Sequence, residues 1–353
     1  MFKKGLSKKN LVGLDIGSSS VKAVELQGKL DGLLLTSLGF ESLQPDTVVD
    51  GQIMEVNDVS QVIADIFNAH QIKTERVAAG VSGSSVIVKN ILVPPMSQEE
   101  LEESIDWHAE EHIPFEISDV SLDYQITGRS TDSLQVLLAA CKRDFVANLK
   151  QAIQLAGKQP AIIDVDAFAL QNCYEVNYQP TPSQTVALLN IGAATMNINI
   201  LHGVTSVFTR DVSVGGNQYT ALLQKELGLT YEQAEAVKRG AAIPEELEQR
   251  DIEPVLEAVS DMLALEIQKT FDFYRATAEE GDAGVQKILI SGGGSKLSGL
   301  QEYLSQRFEL PVEPLNPFLR IKVDPKRFDA DYMREVVPEM AVAVGLALRG
   351  VEA

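Results

Sequence analysis

Two stretches of the chain share one pattern of apolar and small residues. In residues 11–26, an apolar run leads into a turn at 15–20 that is rich in Gly and Ser, and a second apolar run follows. β-Branched residues on both sides of a tight turn predict a β-hairpin. Residues 185–201 repeat the pattern, with Leu-Asp-Ile-Gly at 14–17 matching Leu-Asn-Ile-Gly at 189–192 at a constant offset. The sequence therefore predicts two hairpins of the same design.

Other segments carry the periodicity of helices or of buried strands. Apolar residues at three- and four-residue steps predict helices, and short apolar runs bounded by turn residues predict strands. Ser97 and Glu100 have the spacing of a capping box, which predicts that a helix begins there and stops before Pro114. Further helices are predicted at about 57–70, 145–156, 217–240, 253–278 and 341–348, and strands at about 77–81, 84–93, 122–128, 134–141 and 287–290.

A duplicated hairpin among alternating strands and helices predicts an α/β protein with two similar lobes that face each other. The chain changes character at Pro94-Pro95, and the elements that follow are typical of an inserted subdomain. We expect a first lobe of residues 1–89, 160–184 and 341–353, an inserted subdomain of residues 90–159, and a second lobe of residues 185–340.

The net charge of the chain limits the classes of ligand that we expect it to bind. The 353 residues include 30 Lys and Arg against 50 Asp and Glu, which gives a formal net charge of −20. Bulk binding to nucleic acid or to anionic lipid requires clustered positive charge, so we expect neither. A nucleotide is compatible with this charge, because local backbone amides can hold a phosphate in an acidic protein.

Two features predict a cytoplasmic protein. Cys141 and Cys173 lie in apolar contexts, which favours a reducing compartment. The four lysines within residues 3–9 are followed by an apolar run, 11–14, that is too short for a secretory signal. We interpret the lysine-rich stretch as a solvated tail, with a membrane-surface tether as the alternative.

The two hairpin turns are candidates for anion binding. Each turn is small enough for backbone amides to approach a phosphate. A third loop, Ser-Gly-Gly-Gly-Ser at 291–295, follows an apolar strand and precedes a helix. One tight turn of this kind is common, whereas two at equivalent positions together with a glycine loop indicate a phosphate-binding cleft.

These loops resemble those of the actin-like ATPase superfamily, which includes actin, Hsp70, sugar kinases, MreB, FtsA and PilM. The resemblance implies an actin-like (ribonuclease H-like) two-lobed fold that binds ATP and Mg²⁺. Asp15 would hold Mg²⁺ through water, the amides of the first loop would cradle the phosphates, and Lys22 would neutralise them. The second loop has Asn190 where the superfamily usually has Asp, so metal binding and water activation from that side lack a charged group. We therefore expect at most slow ATP hydrolysis, and we assign no catalytic residue.

The same resemblance assigns candidate ATP-binding residues to four segments. They are Asp15, Gly17, Ser18, Ser19, Ser20 and Lys22 in the first loop; Asn190, Gly192, Ala193 and Thr195 in the second; Gly215, Gly216, Glu235 and Lys238 near the ribose and adenine; and Gly292, Gly293, Gly294 and Ser295 in the adenosine loop.

Within the superfamily, the chain resembles the PilM family of type IV pilus assembly proteins. The resemblance includes the first hairpin, residues 107–115, 164–170 and 266–274, and the glycine loop, and so covers essentially the whole chain. It implies an inserted subdomain of the FtsA 1C type and a cytoplasmic ATP-binding scaffold that grips the N-terminal cytoplasmic peptide of PilN. It also implies contacts with the pilus motor ATPases and other inner-membrane pilus proteins, a role in twitching motility, and recruitment to the inner membrane by the partner. Self-association is left open.

Two other functions fit the superfamily. A filament-forming relative of FtsA or MreB would share the architecture, but FtsA ends in an amphipathic membrane-binding helix, and we expect none after residue 350. A small-molecule kinase would need a catalytic carboxylate facing an acceptor pocket, for which Asp164 and Asp166 are the candidates. Sedimentation with and without ATP would reveal the filament, and ADP release in the presence of sugars would reveal the kinase.

Overall fold

The computed structural model describes residues 11–241, 247–277 and 284–351. The lysine-rich stretch at 3–9 lies outside the described residues. The strands are β1 (Val12–Ile16), β2 (Ser20–Gln27), β3 (Leu34–Ser42), β4 (Val48–Val49), β5 (Gln52–Ile53), β6 (Arg76–Val81), β7 (Val86–Val93), β8 (Val120–Arg129), β9 (Leu134–Lys142), β10 (Gln159–Val165), β11 (Thr185–Ile191), β12 (Met196–His202), β13 (Thr205–Val212), β14 (Lys287–Ser291) and β15 (Val312–Pro314). The helices are α1 (Val56–Ala69), α2 (Gln98–Glu110), α3 (Arg143–Leu155), α4 (Asp166–Tyr178), α5 (Gly216–Leu227), α6 (Tyr231–Lys238), α7 (Gln249–Thr277), α8 (Leu300–Phe308), α9 (Ala330–Val336) and α10 (Ala341–Leu348).

Two five-stranded sheets have the same strand order. The first runs β3-β2-β1-β6-β10, and the second runs β13-β12-β11-β14-β15. In each sheet, three antiparallel strands that follow one another in the chain are extended by two parallel strands. The predicted duplication is therefore confirmed by the topology of the two sheets.

The two sheets are joined by the helices α4 and α10. Helix α10 packs on β1 and β2 of the first sheet, whereas α4 packs on α10 and on β12 of the second. The two helices cross at a backbone contact, because a Cβ on Gly345 would lie 1.7 Å from the carbonyl oxygen of Ala169. On the other side of α10, a Cβ on Gly13 would lie 2.0 Å from the carbonyl oxygen of Ala343. The missing side chains of the two glycines thus let α10 pack closely on α4 and on β1 where the two sheets are joined.

The remaining helices cover the outer faces of the two sheets. Helices α1 and α3 share a core with the first sheet, and α7 and α8 share one with the second. Every residue of α10 is buried between the lobes, which explains why this helix is apolar on all sides. None of the described helices is both long and apolar enough to span a bilayer.

A three-stranded antiparallel sheet, β7-β9-β8, projects from the first lobe. Helix α2 begins at the capping box of Ser97 and Glu100, as the sequence predicts, and buries Leu101 and Ile105 against one face of this sheet. Residues on the other face of β9 join the core of the first lobe, as does α3. The division of the chain into two lobes and an inserted subdomain of residues 90–159 stays a proposal.

The sequence-based assignment of helices was wrong between residues 217 and 240. A single helical region was predicted there, but α5 ends before Gly228, which has a φ of 67°. Helix α6 then begins after its N-cap residue Thr230, whose side chain accepts a hydrogen bond from the backbone N–H of Gln233. A left-handed glycine followed by a capping box ends one helix and begins the next.

Replacing Gly345 with Ala should destabilise the whole protein. The added methyl group has no room against Ala169, and overpacking of this kind costs roughly 1–3 kcal/mol or more. Urea unfolding followed by circular dichroism measures the loss. Gly32→Ala is the matched control, because nothing lies within 4 Å of a Cβ at Gly32. Equal unfolding free energies for the two variants would contradict the backbone contact between α4 and α10.

Candidate functional site

The first hairpin holds a buried ion pair below its turn. Asp15 and Lys22 are register partners on β1 and β2, and Lys22 Nζ lies 3.3 Å from Asp15 Oδ2. Both residues are less than a tenth exposed, at 8% for Asp15 and 9% for Lys22. The turn is closed by the backbone N–H of Gly17, which donates to the carbonyl oxygen of Ser20 at 3.0 Å. The hairpin therefore presents a fixed positive charge directly behind a tight turn.

Lys22 stays protonated because acidic groups surround it. Burial lowers the pKa of Lys22, but three neighbouring carboxylates outweigh this effect and hold the pKa above its ordinary value. They belong to Asp15, Glu339 and Asp166. Even with Asp166 protonated, the carboxylates of Asp15 and Glu339 outnumber the one ammonium group, so the cluster favours a cation.

The carboxyl group of Asp166, at the first position of α4, has a pKa well above its ordinary value. Burial raises its pKa to about 8, and the nearby charges of Asp15 and Asp211 act in the same direction. A hydrogen bond with Ser82 and the charge of Lys22 oppose the rise. Its Oδ1 atom is buried and makes no hydrogen bond to any described residue.

The second hairpin has the same backbone and a different charge. The backbone N–H of Gly192 donates to the carbonyl oxygen of Thr195 at 2.8 Å, as in the first turn. Asn190 and Asn197 are register partners, and Asn190 Nδ2 donates to Asn197 Oδ1 at 3.0 Å. They lie 175 positions after Asp15 and Lys22, so an uncharged amide pair replaces the ion pair.

The two turns contact each other between the two sheets, at the place that we call the cleft. The backbone N–H of Ala194 in the second turn donates to Ser18 Oγ in the first at 3.2 Å. Ser20 Oγ is buried and has no hydrogen-bond partner among the described residues. Ser19 is exposed, and its carbonyl oxygen accepts from the backbone N–H of Leu43 at 2.8 Å. Of the predicted first-loop residues, Ser19 is thus the one whose side chain faces solvent.

The start of α5 packs directly on the second turn. The backbone N–H of Gly216 donates to the carbonyl oxygen of Gly192 at 2.9 Å. Gly215 has no space for a side chain, since a Cβ there would lie 2.5 Å from the same oxygen. On α6, Lys238 Nζ donates to Glu235 Oε1 and, at 3.4 Å, to the carbonyl oxygen of Gly216. These four predicted residues therefore form one connected group.

The glycine loop after β14 lies against the end of β11. Gly292 has a φ of 83°, and a Cβ there would lie 2.4 Å from the carbonyl oxygen of Ile191. Gly294 also packs on Ile191, and Gly293 lies beside Glu339. Ser295 Oγ donates to the carbonyl oxygen of Gly292 at 2.7 Å, which closes the loop.

The four predicted segments thus lie around one cleft, and their role in binding a nucleotide stays a prediction. Sequence reasoning missed the roles of Asn197, Asp211 and Glu339, and named Asp166 only as a carboxylate at a strand end. The offset of 175 between the hairpins could have identified Asn197, because it is the equivalent of Lys22. No local signal marks Glu339, which reaches the cleft from the turn before α10.

Two lobes of equal topology, with paired turns facing each other across a cleft, define an actin-like protein. A model of the family described as type IV pilus assembly protein PilM matches residues 13–351. The chain therefore belongs to the PilM family.

Solved structures agree with this assignment. The chain is similar to the protein in the PilM–PilN type IV pilus biogenesis complex, with 30% identity, a TM-score of 0.87, and coverage of 98% of this chain and 100% of that one. It is also similar to the ethanolamine utilization protein EutJ from Carboxydothermus hydrogenoformans, with 14% identity, a TM-score of 0.58, and coverage of 97% and 90%. MreB5 of Spiroplasma citri bound to ADP gives 14% identity, a TM-score of 0.53, and coverage of 93% and 98%. The last two likenesses show the fold.

The buried carboxyl of Asp166 should make stability depend on pH. Its pKa is about 8 in the folded protein, against an ordinary value of 3.8. The folded state therefore keeps a proton that the unfolded state loses, so this stabilisation is complete below about pH 4 and is lost as pH rises towards 8. Urea unfolding of the ligand-free protein at several pH values measures the effect. Asp166→Asn should flatten the profile in this window, whereas Asp106→Asn, at an exposed position of α2, should not. Identical profiles for the parent and Asp166→Asn would contradict the assignment.

Proposed function

We propose that the chain is an ATP-binding scaffold of type IV pilus assembly, which holds ATP and Mg²⁺ between its lobes and binds the N-terminal cytoplasmic peptide of PilN. The proposal rests on one observation of the structure, which is that two equivalent turns contact each other at one cleft. It is supported by the 30% identity of the chain to the protein in a PilM–PilN complex.

The cleft has groups that are suited to binding the phosphates of a nucleotide. Ser20 Oγ is a buried hydroxyl without a described hydrogen-bond partner, and Lys22 supplies a positive charge behind the same turn. The backbone N–H of Ala194 points across the cleft to Ser18 Oγ, so it is oriented to donate to an anionic oxygen between the turns. These groups fit a polyphosphate better than a neutral ligand.

Mg²⁺ fits the acidic side of the same cleft. Asp15 and Asp166 are hard oxygen donors of the kind that Mg²⁺ prefers, and Asp15 would hold the ion through water. When bound, Mg²⁺ would neutralise the phosphate oxygens. Asp166 Oδ1, which lacks a hydrogen bond to any described residue, would gain a partner from the ion's water shell.

The nucleoside would lie on the second lobe. Gly215 and Gly216 have no side chains to cover the backbone at the start of α5. The polar side chains of Glu235 and Lys238 lie beside them. Residues 292–295 border the opposite side. Hydrolysis would be slow, because Asn190 brings no negative charge to activate water.

The partner would be a membrane protein, since a net charge of −20 disfavours direct binding to anionic lipid. A short peptide gains affinity from a few apolar anchors in a groove. The described residues of the inserted subdomain include three large exposed apolar side chains, Leu92, Trp107 and Leu155, which are 69%, 62% and 56% exposed. We propose that this subdomain forms part of the groove, that PilN recruits the protein to the cytoplasmic face of the inner membrane, and that the pilus motor ATPases and other inner-membrane pilus proteins are further partners.

Removal of either member of the buried ion pair should weaken binding of ATP with Mg²⁺. Asp15→Ala removes the proposed metal anchor, and Lys22→Ala removes a phosphate partner. A charge-assisted contact contributes ~1.5–3 kcal/mol, which corresponds to a loss of roughly tenfold to more than a hundredfold in affinity. Calorimetry measures the dissociation constant, with Lys29→Ala, an exposed lysine after β2, as the matched control. Parent-like affinity in both cleft variants would rule out this site.

Peptide binding should change the fluorescence of Trp107, which is the only tryptophan of the chain and lies on α2. We expect the N-terminal peptide of a PilN-like protein to bind with a dissociation constant of about 1 μM or tighter. The emission should shift to the blue as the indole leaves water. A peptide whose apolar residues are replaced by Ser is the control ligand, and Trp107→Phe should lose the signal. Peptide binding by calorimetry without any change in emission would place the groove away from α2.

A further inference from the structure

A row of polar side chains crosses the second sheet at the level of the phosphate turn. Ser291, Asn190, Asn197 and Asp211 are register partners on the four adjacent strands β14, β11, β12 and β13. Residues paired in this way point to the same face of a sheet. Ser291 Oγ donates to Asn190 Oδ1 at 3.4 Å, Asn190 Nδ2 to Asn197 Oδ1 at 3.0 Å, and Asn197 Nδ2 to Asp211 Oδ1 at 2.8 Å. The hydrogen bonds therefore run without a break from the end of β14, beside the glycine loop, to β13 at the edge of the sheet.

The carboxylate at the end of the row fixes the direction of every bond in it. Both oxygens of Asp211 accept hydrogen bonds, one from Gly83 and one from Asn197, so Asn197 must turn its amide nitrogen towards Asp211. Its oxygen then faces Asn190, which must donate in turn. Asn190 is left with its oxygen directed to Ser291 and beside Gly292, in the proposed nucleotide site. Asp211 thus orients an amide two strands away.

The second oxygen of Asp211 reaches the other lobe. The backbone N–H of Gly83 donates to Asp211 Oδ2 at 2.6 Å. Gly83 has a φ of 91° and packs so closely on the carbonyl oxygen of Asp50 that a Cβ would lie 2.7 Å from it. Its own carbonyl oxygen accepts from the backbone N–H of Val86, the first residue of β7. The loop held by Asp211 therefore leads directly into the inserted sheet.

A second contact joins the same two elements further along. Asn90 Nδ2 on β7 donates to the carbonyl oxygen of Val207 on β13 at 3.4 Å. The first sheet has no equivalent arrangement at the matching position, because the register partner of Lys22 on β3 is Phe40. The polar connection is thus a property of the second lobe, where the ion pair of the first hairpin is replaced by amides.

We propose that Asp211 is a positioning residue that couples the nucleotide site to the inserted subdomain. One of its oxygens orients Asn190 through Asn197, and the other holds the loop at Gly83 that precedes β7. Movement of the second turn around a nucleotide is then transmitted to the inserted sheet through one carboxylate. The coupling of two ligands rests on the proposed function, whereas the orientation of Asn190 by Asp211 does not.

The test compares peptide affinity with and without a non-hydrolysable ATP analogue and Mg²⁺. In the parent protein, the nucleotide should change the dissociation constant of the PilN-like peptide by about 5- to 150-fold, the usual range for allosteric coupling. Asp211→Asn removes the charge that directs the row, and Asn197→Leu interrupts it at similar volume. Both variants should bring the ratio of the two dissociation constants to within about twofold of one. Arg210→Gln is the matched control. Arg210 precedes Asp211 on β13, but its side chain contacts Glu266 and Thr270 of α7, so this substitution should leave the coupling intact.

A ligand-free measurement separates this proposal from the proposed function. In a ¹⁵N-labelled sample, Asp211→Asn should shift the side-chain amide resonances of Asn190 and Asn197 and speed hydrogen exchange at the Gly83 amide, and Arg210→Gln should do neither. Parent-like coupling in both row variants, or no coupling in the parent, would overturn the proposal. If the parent binds neither ligand, the proposed function fails, and unchanged Asn190 resonances in Asp211→Asn would then refute the positioning role as well.

Discussion

The backbone contact between α4 and α10 sets the distance between the two sheets, because α10 packs on the first sheet and α4 on the second. Gly345 lies against the carbonyl oxygen of Ala169, and Gly13 lets α10 settle on the first sheet. Two hydrogen bonds join elements of the two sheets, from Ala194 to Ser18 and from Gly83 to Asp211. A hydrogen bond weakens steeply beyond its normal distance, so both contacts require the sheets to stay at a fixed separation.

The two hairpins differ in the charge of their paired side chains. Their turns have the same backbone hydrogen bond, but one hairpin carries the Asp15–Lys22 ion pair and the other an amide pair. The charged hairpin is suited to phosphate and metal. The neutral hairpin costs less to bury, because amides that satisfy each other avoid the desolvation of ions. It can therefore extend as a row of hydrogen bonds towards the other lobe, and this arrangement favours a nucleotide-responsive scaffold over a fast ATPase.

The parts of the fold that could be predicted are those encoded locally. The hairpins, the glycine loop and the capping box at Ser97 are short patterns whose geometry follows from neighbouring residues, and the structure contains each of them. The break between α5 and α6 was missed because helical periodicity outweighed the signal of Gly228 and Thr230. The strands β3 and β13 were not predicted, because apolar and polar residues do not alternate regularly along them. Asp211 and Glu339 reach the cleft from distant parts of the chain, so their roles follow from sheet register and the lobe spacing, which no local pattern encodes.

We propose that the two turns form one phosphate-binding cleft, and a crystal structure of the protein with Mg²⁺ and a non-hydrolysable ATP analogue would decide this. We expect phosphate density between residues 17–20 and 192–195, with Lys22 beside it and the contact from Ala194 to Ser18 replaced by contacts to phosphate oxygen. Nucleotide density elsewhere on the protein, with the two turns still bonded to each other, would contradict it.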